Sequence, residues 1–201
     1  MAPRSPSASG RLRVIGGRWR GRRLSFPAIE GLRPTPDRVR ETLFNWLAPI
    51  ISGARCLDLF AGSGALGIEA LSRGAGEVVF VEHHPLAARC LRDNLASLGL
   101  QEPNVKQVDA LVWLQGVATA FDVVLLDPPF GKGLLGPICQ ALEQGHWLAP
   151  EARIYVEAER APKTPDLPST WRVLRENKAG QVRYALLCRD SATQRINALR
   201  E

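Results

Sequence analysis

A glycine-rich stretch at residues 56–67 has the residue types and the spacing of a ligand-binding loop. A short apolar run ends in Asp58, Gly62 and Gly64 follow, and Gly67 lies in a segment that favours a helix. Glycine adopts backbone angles that are closed to other residues, and the missing Cβ atom lets a ligand lie against the main chain. A strand, a tight loop and a helix N-terminus in this order form the first half of a βαβ unit.

A second stretch joins Asp127 to Pro128, Pro129 and Phe130, directly after the apolar run at residues 121–126. Two prolines stiffen this turn, so the carbonyl groups point in fixed directions. If the Asp127 carboxylate and the Pro128 carbonyl accept both N–H bonds of an aromatic amine, the nitrogen lone pair is held toward an electrophile. Phe130 offers a face on which a base could stack. We interpret the stretch as a site for methyl transfer to an exocyclic amine of a nucleic-acid base.

Four acids stand at the ends of predicted strands, namely Asp58, Glu82, Asp109 and Asp127. In an open α/β sheet, ligands bind beyond the carboxyl ends of the strands. Glu82 follows Asp58 by 24 residues, one βαβ step, and is placed to accept both hydroxyls of a ribose. Asp109 could accept a hydrogen bond from an adenine amino group. These roles fit a nucleoside-bearing cofactor.

The glycine pattern alone leaves two enzyme classes open. Gly62, Gly64 and Gly67 match the dinucleotide fingerprint, and Glu82 matches the ribose-binding acid that accompanies it. Asp58 favours a methyltransferase, because an anion before the loop would repel a pyrophosphate and attract the ammonium of an amino-acid group. A nicotinamide dehydrogenase remains the alternative at this point.

Regular alternation of strands and helices positions these residues. The alternation indicates a mainly parallel sheet with helices on both faces, and residues 171–176 and 181–188 predict a terminal antiparallel hairpin. The predicted strands cover residues 55–59, 77–82, 105–108, 121–126 and 153–157. The predicted helices cover residues 65–73, 85–98, 110–116 and 134–147.

The charge of the chain is concentrated at its N-terminal end. Residues 1–40 carry ten basic and two acidic residues, a net charge of +8, whereas the other 161 residues carry 16 basic and 18 acidic residues, a net charge of −2. Such asymmetry indicates a polyanionic partner, either nucleic acid or an anionic surface.

The basic end predicts a small β-hairpin followed by a helix. Tryptophan among arginines either stacks on a base or packs on a small core, and both interpretations stay open for Trp19. Thr35 is predicted to cap the helix, with Pro36 at its first position. The candidates for contact with nucleic acid are Arg18, Trp19, Arg20, Arg22, Arg23, Arg38 and Arg40. The predicted buried stripe of the helix contains Val39, Leu43, Trp46 and Leu47.

Length and composition predict one main domain with short appendages. We expect a disordered tail at residues 1–10, a basic hairpin extension at 11–32, the main domain at 33–189 and a polar tail at 190–201. No apolar run is long enough for a membrane span and the first ten residues are too polar for a secretory signal, so we expect a cytosolic protein without a membrane partner. The four cysteines lie far apart and predict no metal site.

Five stretches of the sequence resemble known proteins. Residues 58–64 and 127–130 are similar to the cofactor and catalytic motifs of class I S-adenosylmethionine-dependent amino-methyltransferases. Residues 13–17, 21–24 and 33–47 resemble one narrower family, the bacterial 16S rRNA guanine-N2 methyltransferases called RsmD. The similarity covers nearly the whole globular part of the chain.

The resemblance implies a Rossmann-like fold with a seven-stranded, mostly parallel sheet, a C-terminal antiparallel hairpin and a small N-terminal hairpin. It implies S-adenosyl-L-methionine as cofactor, and as substrate the N2 amine of guanine 966 in the 16S rRNA of the small ribosomal subunit. Nothing in the sequence suggests an obligate dimer, so we expect a monomer. The implied cofactor residues are Asp58, Phe60, Gly62 and Gly64 for the methionine part, Glu82 for the ribose, Asp109 and Ala110 for the adenine, and Thr35 for the pocket wall.

Two further interpretations compete with this one. An adenine-N6 DNA methyltransferase uses a similar turn on a similar amine, but it should carry a larger target-recognition region than 201 residues allow. A non-catalytic RNA-binding protein could keep the fold without the activity, but Gly62, Gly64, Glu82 and Asp127 are all present. Asp127 to Phe130 could also form an ordinary stiff turn with the Phe130 ring in the core.

Overall fold

The computed structural model describes residues 8–158 and 167–190. The chain divides into two compact units, one ending at Ala110 and one beginning at Leu111. The larger sheet of the protein has seven strands, three in the first unit and four in the second, and a separate two-stranded sheet lies near the N-terminus. The predicted tails at residues 1–7 and 191–201 fall outside the described residues.

The first unit opens with the predicted hairpin. Strand β1 (Ala8–Arg13) pairs antiparallel with β2 (Arg23–Pro27), and a short 3-10 turn (Gly17–Trp19) lies between them. The first strand begins at Ala8, within the segment predicted as a disordered tail. Leu12 and Leu24 are paired across the ladder and both are buried, so one face of the hairpin is apolar.

This unit also contains three parallel strands of the seven-stranded sheet, in the order β5-β4-β3. The alternation of strands and helices agrees with the prediction, although β5 is shorter than expected. The elements are α1 (Asp37–Leu47), β3 (Arg55–Asp58), α2 (Ala65–Ser72), β4 (Glu77–Val81), α3 (Pro85–Ser97) and β5 (Val105–Lys106).

Helix α1 begins one residue later than the capping prediction requires. Pro36, not Thr35, stands at the N-cap position, and no side chain in the described part of the chain caps this helix. Proline cannot donate a backbone N–H, so its placement before the first turn leaves no additional donor without a partner.

The second unit has strand order β6-β7-β9-β8. Strands β6 and β7 are parallel, whereas β7, β9 and β8 are antiparallel neighbours, which gives the predicted C-terminal hairpin. Four consecutive residues of β6, from Val123 to Leu126, are fully buried, as expected for a strand covered on both faces. The elements are α4 (Ala110–Trp113, which starts at the boundary of the units), β6 (Phe121–Leu126), α5 (Leu135–Gln144), β7 (Leu148–Ala158), β8 (Trp171–Ala179) and β9 (Val182–Arg189).

Candidate active site and nucleic-acid interface

The glycine-rich loop lies between β3 and α2, as predicted. Gly62 and Gly64 have φ angles of 52° and 79°, in the left-handed region that favours glycine. A Cβ atom on Gly64 would also overlap the side chains of Leu91 and Ile68. The loop is fixed by two backbone hydrogen bonds, from the Gly64 N–H to the Ala61 carbonyl and from the Ala61 N–H to the Val81 carbonyl. These constraints place the loop backbone in one defined shape.

Asp58 lies at the end of β3 and is only 2% exposed. Its Oδ2 atom accepts a hydrogen bond of 2.9 Å from the Gly67 N–H in the first turn of α2. The pKa of Asp58 is raised to about 7 as the net result of three effects: burial raises it most, the Gly67 N–H lowers it, and the negative charge of Glu82 raises it. This carboxyl group therefore changes charge near neutral pH.

Glu82 follows β4 directly, and its carboxylate binds the backbone of the glycine loop and of its own loop. Its Oε2 atom accepts from the Gly62 N–H at 2.8 Å, and its Oε1 atom accepts from the His84 N–H at 2.6 Å. His83 contacts the same Oε1 atom at 3.3 Å. A carboxylate has about four acceptor positions, so these bonds leave capacity for further donors.

These observations fit a cofactor with a ribose and an ammonium group. The ribose hydroxyls are donors for Glu82, and the Asp58 carboxylate, when ionised, suits a cationic group beside the glycine loop. Both acids already accept backbone N–H donors and keep acceptor capacity for a ligand. The two residues therefore fit such a cofactor, and their roles toward it stay predictions.

Four other predicted cofactor residues occupy less specific positions. Asp109 is exposed after β5, and Ala110 is buried at the start of α4. Thr35 is buried and its carbonyl accepts from the Arg40 Nε atom at 3.1 Å. Phe60 is half-buried in the loop. Their roles toward a cofactor remain predictions.

The predicted catalytic turn follows β6. Asp127 is half-buried, Pro128 is buried, and Pro129 and Phe130 are exposed. The Phe130 side chain is 41% exposed, so its ring is not part of the core. Gly131 has a φ angle of 72° and turns the chain directly after Phe130. The turn therefore leaves Phe130 open to solvent, three residues after the half-buried Asp127.

A buried polar pair on β7, Tyr155 and Glu157, was not predicted from the sequence. The Tyr155 hydroxyl donates to the Glu157 Oε1 atom at 2.9 Å, and both residues are buried. The pairing of β6 with β7 places Leu126 opposite Val156, so this pair lies one residue from the strand end that carries Asp127. Burial raises the pKa of Tyr155 well above its ordinary value, and the charges of Glu157 and Asp127 add to this shift. The available signal was an acid, Glu157, directly after the apolar run at residues 154–156.

The basic hairpin exposes most of its arginines. Arg18, Arg20, Arg22 and Arg23 are exposed, and the Arg22 Nη2 atom donates to the Ser97 carbonyl at 3.1 Å. The guanidinium of Arg18 lies 4.0 Å from the centroid of the Trp19 ring.

Trp19 and Arg40 require corrections, because both lie in the interior. Trp19 is 8% exposed and packs in the hairpin, so its ring is not available to stack on a base. Arg40 is 1% exposed and pairs with Asp37 at 2.5 Å and with Glu69 at 3.4 Å. A buried, paired guanidinium cannot contact an RNA phosphate. Arg38 is exposed on the same helix, as a nucleic-acid contact would require.

The side chains that most often bind metal ions do not cluster in the part of the chain that the structure describes. Within residues 8–158 and 167–190, no group of three His, Cys, Asp or Glu residues is arranged to hold a metal ion. No helix formed by these residues is long and apolar enough to cross a membrane.

Known proteins share this sequence and fold. The family model described as "Conserved hypothetical protein 95" matches residues 12–188. Ribosomal RNA small subunit methyltransferase D of Escherichia coli K12 is 50% identical over 185 residues, which are 92% of this chain and 93% of the relative. The protein of the same name from Haemophilus influenzae is 46% identical over 186 residues, 90% of this chain and 96% of the relative.

A solved structure agrees with these relatives. The Escherichia coli protein yhhF, itself described as a methyltransferase, has a TM-score of 0.83 and 49% sequence identity, and the alignment covers 90% of this chain and 99% of that one. The predicted Rossmann-like fold, with its seven-stranded, mostly parallel sheet, is confirmed. The chain belongs to the family with the description "Conserved hypothetical protein 95", the RsmD family of methyltransferases, which depend on S-adenosyl-L-methionine.

Proposed function

We propose that this protein methylates the exocyclic N2 amine of guanine 966 in the 16S rRNA of the small ribosomal subunit. The observation that carries the proposal is the turn after β6, where Asp127 precedes two prolines and the exposed Phe130 follows them. The names of the relatives support ribosomal RNA as the substrate. The N2 position and the nucleotide are our proposal.

The cofactor residues are those of the first unit. S-adenosyl-L-methionine, when bound, supplies an electrophilic methyl group. We assign the ribose hydroxyls to Glu82 and the ammonium group to Asp58, with the backbone of Gly62 and Gly64 beside the methionine part. Phe60 and Thr35 would contribute apolar and backbone surface, and Asp109 with Ala110 would receive the adenine.

The target amine is a poor nucleophile, because its lone pair is delocalised into the guanine ring. We assign one N–H bond to the Asp127 carboxylate and the other to the Pro128 carbonyl, which would hold the nitrogen with its lone pair facing the methyl group of the cofactor. The carboxylate also stabilises the positive charge that develops on the nitrogen, before that nitrogen loses one of its protons. Stacking of the base on Phe130 would contribute about 1–3 kcal/mol. Pro129 keeps the carboxylate and the ring in a fixed relation.

The exposed arginines of the hairpin, with Arg38, would bind RNA phosphates. Arg18, Arg20, Arg22 and Arg23 lie within a segment of 40 residues that holds the whole positive excess of the chain. We propose that the protein acts as a monomer in the cytoplasm, where ribosomal RNA is assembled into subunits, and that the target base leaves its stack to reach Phe130.

Transfer of a labelled methyl group tests the proposal. Small ribosomal subunits that lack the modification, free 16S rRNA and DNA are incubated in parallel with the protein and labelled S-adenosyl-L-methionine. One methyl group per RNA, recovered as N2-methylguanine at position 966, is the expected result. Label recovered as N6-methyladenine in DNA, or at another position of the RNA, would replace the proposed substrate.

A further inference from the structure

The turn of the basic hairpin is held by a buried acid on α2. Glu69 is fully buried, and its two oxygen atoms accept hydrogen bonds from the backbone of the turn. The Ile15 N–H donates to Oε2 at 2.9 Å, and the Gly16 N–H donates to Oε1 at 2.8 Å. One carboxylate therefore satisfies two consecutive backbone donors of the hairpin.

Ser72, one helical turn further along α2, holds the other side of the same turn. Its hydroxyl donates to the Gly16 carbonyl at 2.5 Å and accepts from the Trp19 N–H at 3.1 Å. Gly17 has a φ angle of 74°, and a Cβ atom there would overlap the Ser72 carbonyl oxygen. The close approach of the two backbones thus requires glycine at this position. We call Glu69 and Ser72 the α2 clamp.

The α2 clamp uses backbone groups and leaves the arginine side chains of the turn exposed. The charge of Glu69 is compensated from the interior by Arg40 at 3.4 Å and Arg73 at 2.8 Å. Arg18 and Arg20 form no ion pair with any of the described acids and are exposed. The clamp therefore holds the backbone that carries these two cationic side chains and neutralises neither of them.

A hairpin that is held in one position before binding should bind RNA more tightly. A two-stranded hairpin in water is marginally stable by itself, so without α2 its arginines would sample many positions. Binding would then carry the entropy of ordering the hairpin, and holding it beforehand reduces that penalty. We propose that Glu69 and Ser72 are positioning residues for RNA, which act by holding the hairpin turn. The inference rests on the proposed RNA-binding role of the arginines.

A double-mutant cycle tests the inference. The pair of changes Arg18→Ala and Arg20→Ala is made in the wild-type protein and in the Glu69→Gln variant, and the Kd for free 16S rRNA is measured for all four proteins. We expect the arginine changes to weaken binding strongly in the wild type and about fivefold less in the Glu69→Gln background. The Kd for S-adenosyl-L-methionine should stay within about twofold of the wild-type value in the clamp variant, as for a change with no shared partner.

Two further variants distinguish an effect on the position of the hairpin turn from a general loss of stability. Gly17→Ala displaces the same turn from the hairpin side and should reproduce the loss of coupling while α2 keeps its own residues. Glu143→Gln breaks another ion pair, with Arg189 at 2.8 Å, and should leave RNA affinity and the cycle unchanged. If the arginine changes weaken binding equally in the wild-type, Glu69→Gln and Gly17→Ala proteins, the α2 clamp does not position them. If they have no effect in the wild type, the proposed role of the hairpin in RNA binding is wrong instead.

Discussion

At the scale of single residues, Asp58 would connect the pH of the solution to cofactor binding if it binds the ammonium group as proposed. Its carboxyl group is buried, and its pKa of about 7 lies well above the ordinary value of 3.8. An ammonium group binds the ionised carboxylate, so at pH below about 7 the proton on Asp58 must leave before the cofactor binds. The charge state of this one residue should therefore limit affinity on the acidic side.

We predict that the Kd for S-adenosyl-L-methionine rises as the pH falls below about 7, by up to about tenfold per pH unit. Isothermal titration calorimetry between pH 5.5 and pH 8.5 measures this dependence. The Asp58→Asn variant should bind more weakly at high pH and show no such slope. A wild-type Kd that is constant across this range would remove Asp58 from the ammonium site.

Asp58 should also affect the stability of the cofactor-free protein. A group with a folded pKa above its unfolded value contributes stability that is complete below the unfolded pKa and is lost as the pH rises through the folded pKa. For Asp58 this interval runs from about 4 to about 7. We predict that the free energy of unfolding in urea decreases over this interval by an amount that the Asp58→Asn variant lacks. Equal pH profiles for the two proteins would contradict the raised pKa.

Arg40 is a basic residue that stabilises the interior and does not contact RNA. Its guanidinium binds Asp37, Glu69 and the carbonyl groups of Thr35 and Arg13. Breaking a buried ion pair typically destabilises a protein by about 3–5 kcal/mol. Because Arg73 still pairs with Glu69 when Arg40 is removed, we predict a loss at the lower end of this range for Arg40→Ala in urea denaturation. The exposed neighbour Arg38→Ala is the matched control and should change stability by less than about 0.5 kcal/mol.

At the scale of elements, the hairpin formed by β1 and β2 is the part of the molecule that we propose to bind polyanions. Its exposed arginines lie on β1, on the turn and on β2, whereas Leu12 and Leu24 are buried. Each phosphate that a cationic side chain neutralises releases condensed counterions, so the slope of log K against log salt reports how many phosphates are bound.

We predict that replacing Arg18, Arg20 and Arg23 by alanine weakens RNA binding and reduces the magnitude of that slope by about 0.7–0.9 for each phosphate that is no longer neutralised. Filter binding of 16S rRNA at several salt concentrations measures it. Arg55→Ala, an arginine that is paired with Glu77 outside the hairpin, is the control. An unchanged slope in the triple variant would mean that these three side chains do not bind phosphates.

The elements also show which features a sequence can predict. The glycine loop and β6 were predictable because their signals depend on neighbouring residues. Glu69 was not, because its partners Ile15 and Gly16 are 54 and 53 residues away and are backbone groups, which have no sequence signature. In α1 the predicted buried stripe omitted Phe44 and Arg40, which are both buried, and included Trp46, which is only half-buried. A charged residue in a buried position becomes recognisable only when its compensating acid is known.

At the scale of the whole molecule, the two units carry different parts of the proposed reaction. Glu82 and the glycine loop belong to the unit that ends at Ala110, and Asp127 with Phe130 belongs to the unit that begins at Leu111. If the first set binds the methyl donor and the second set holds the target amine, changes in the two sets should affect different kinetic constants.

We predict that Glu82→Ala raises the KM for S-adenosyl-L-methionine, because the ribose loses its acceptor and the Gly62 N–H loses its partner. Asp127→Ala should instead lower kcat by about 10²–10³-fold at saturating cofactor, since the carboxylate acts on charge that develops in the transition state. Its Kd for the cofactor should match that of Asp122→Ala, an exposed acid on β6 that serves as control.

A variant that combines Glu82→Ala with Asp127→Ala tests whether the two acids act on different ligands or in a single step. Residues that act on different ligands contribute independently, so the loss in kcat/KM should be the product of the two single losses. Methyl transfer to subunits that lack the modification measures all three variants. A double variant no worse than Asp127→Ala alone would show that both acids serve a single step. A large rise in cofactor Kd for Asp127→Ala would move that residue from the target amine to the cofactor.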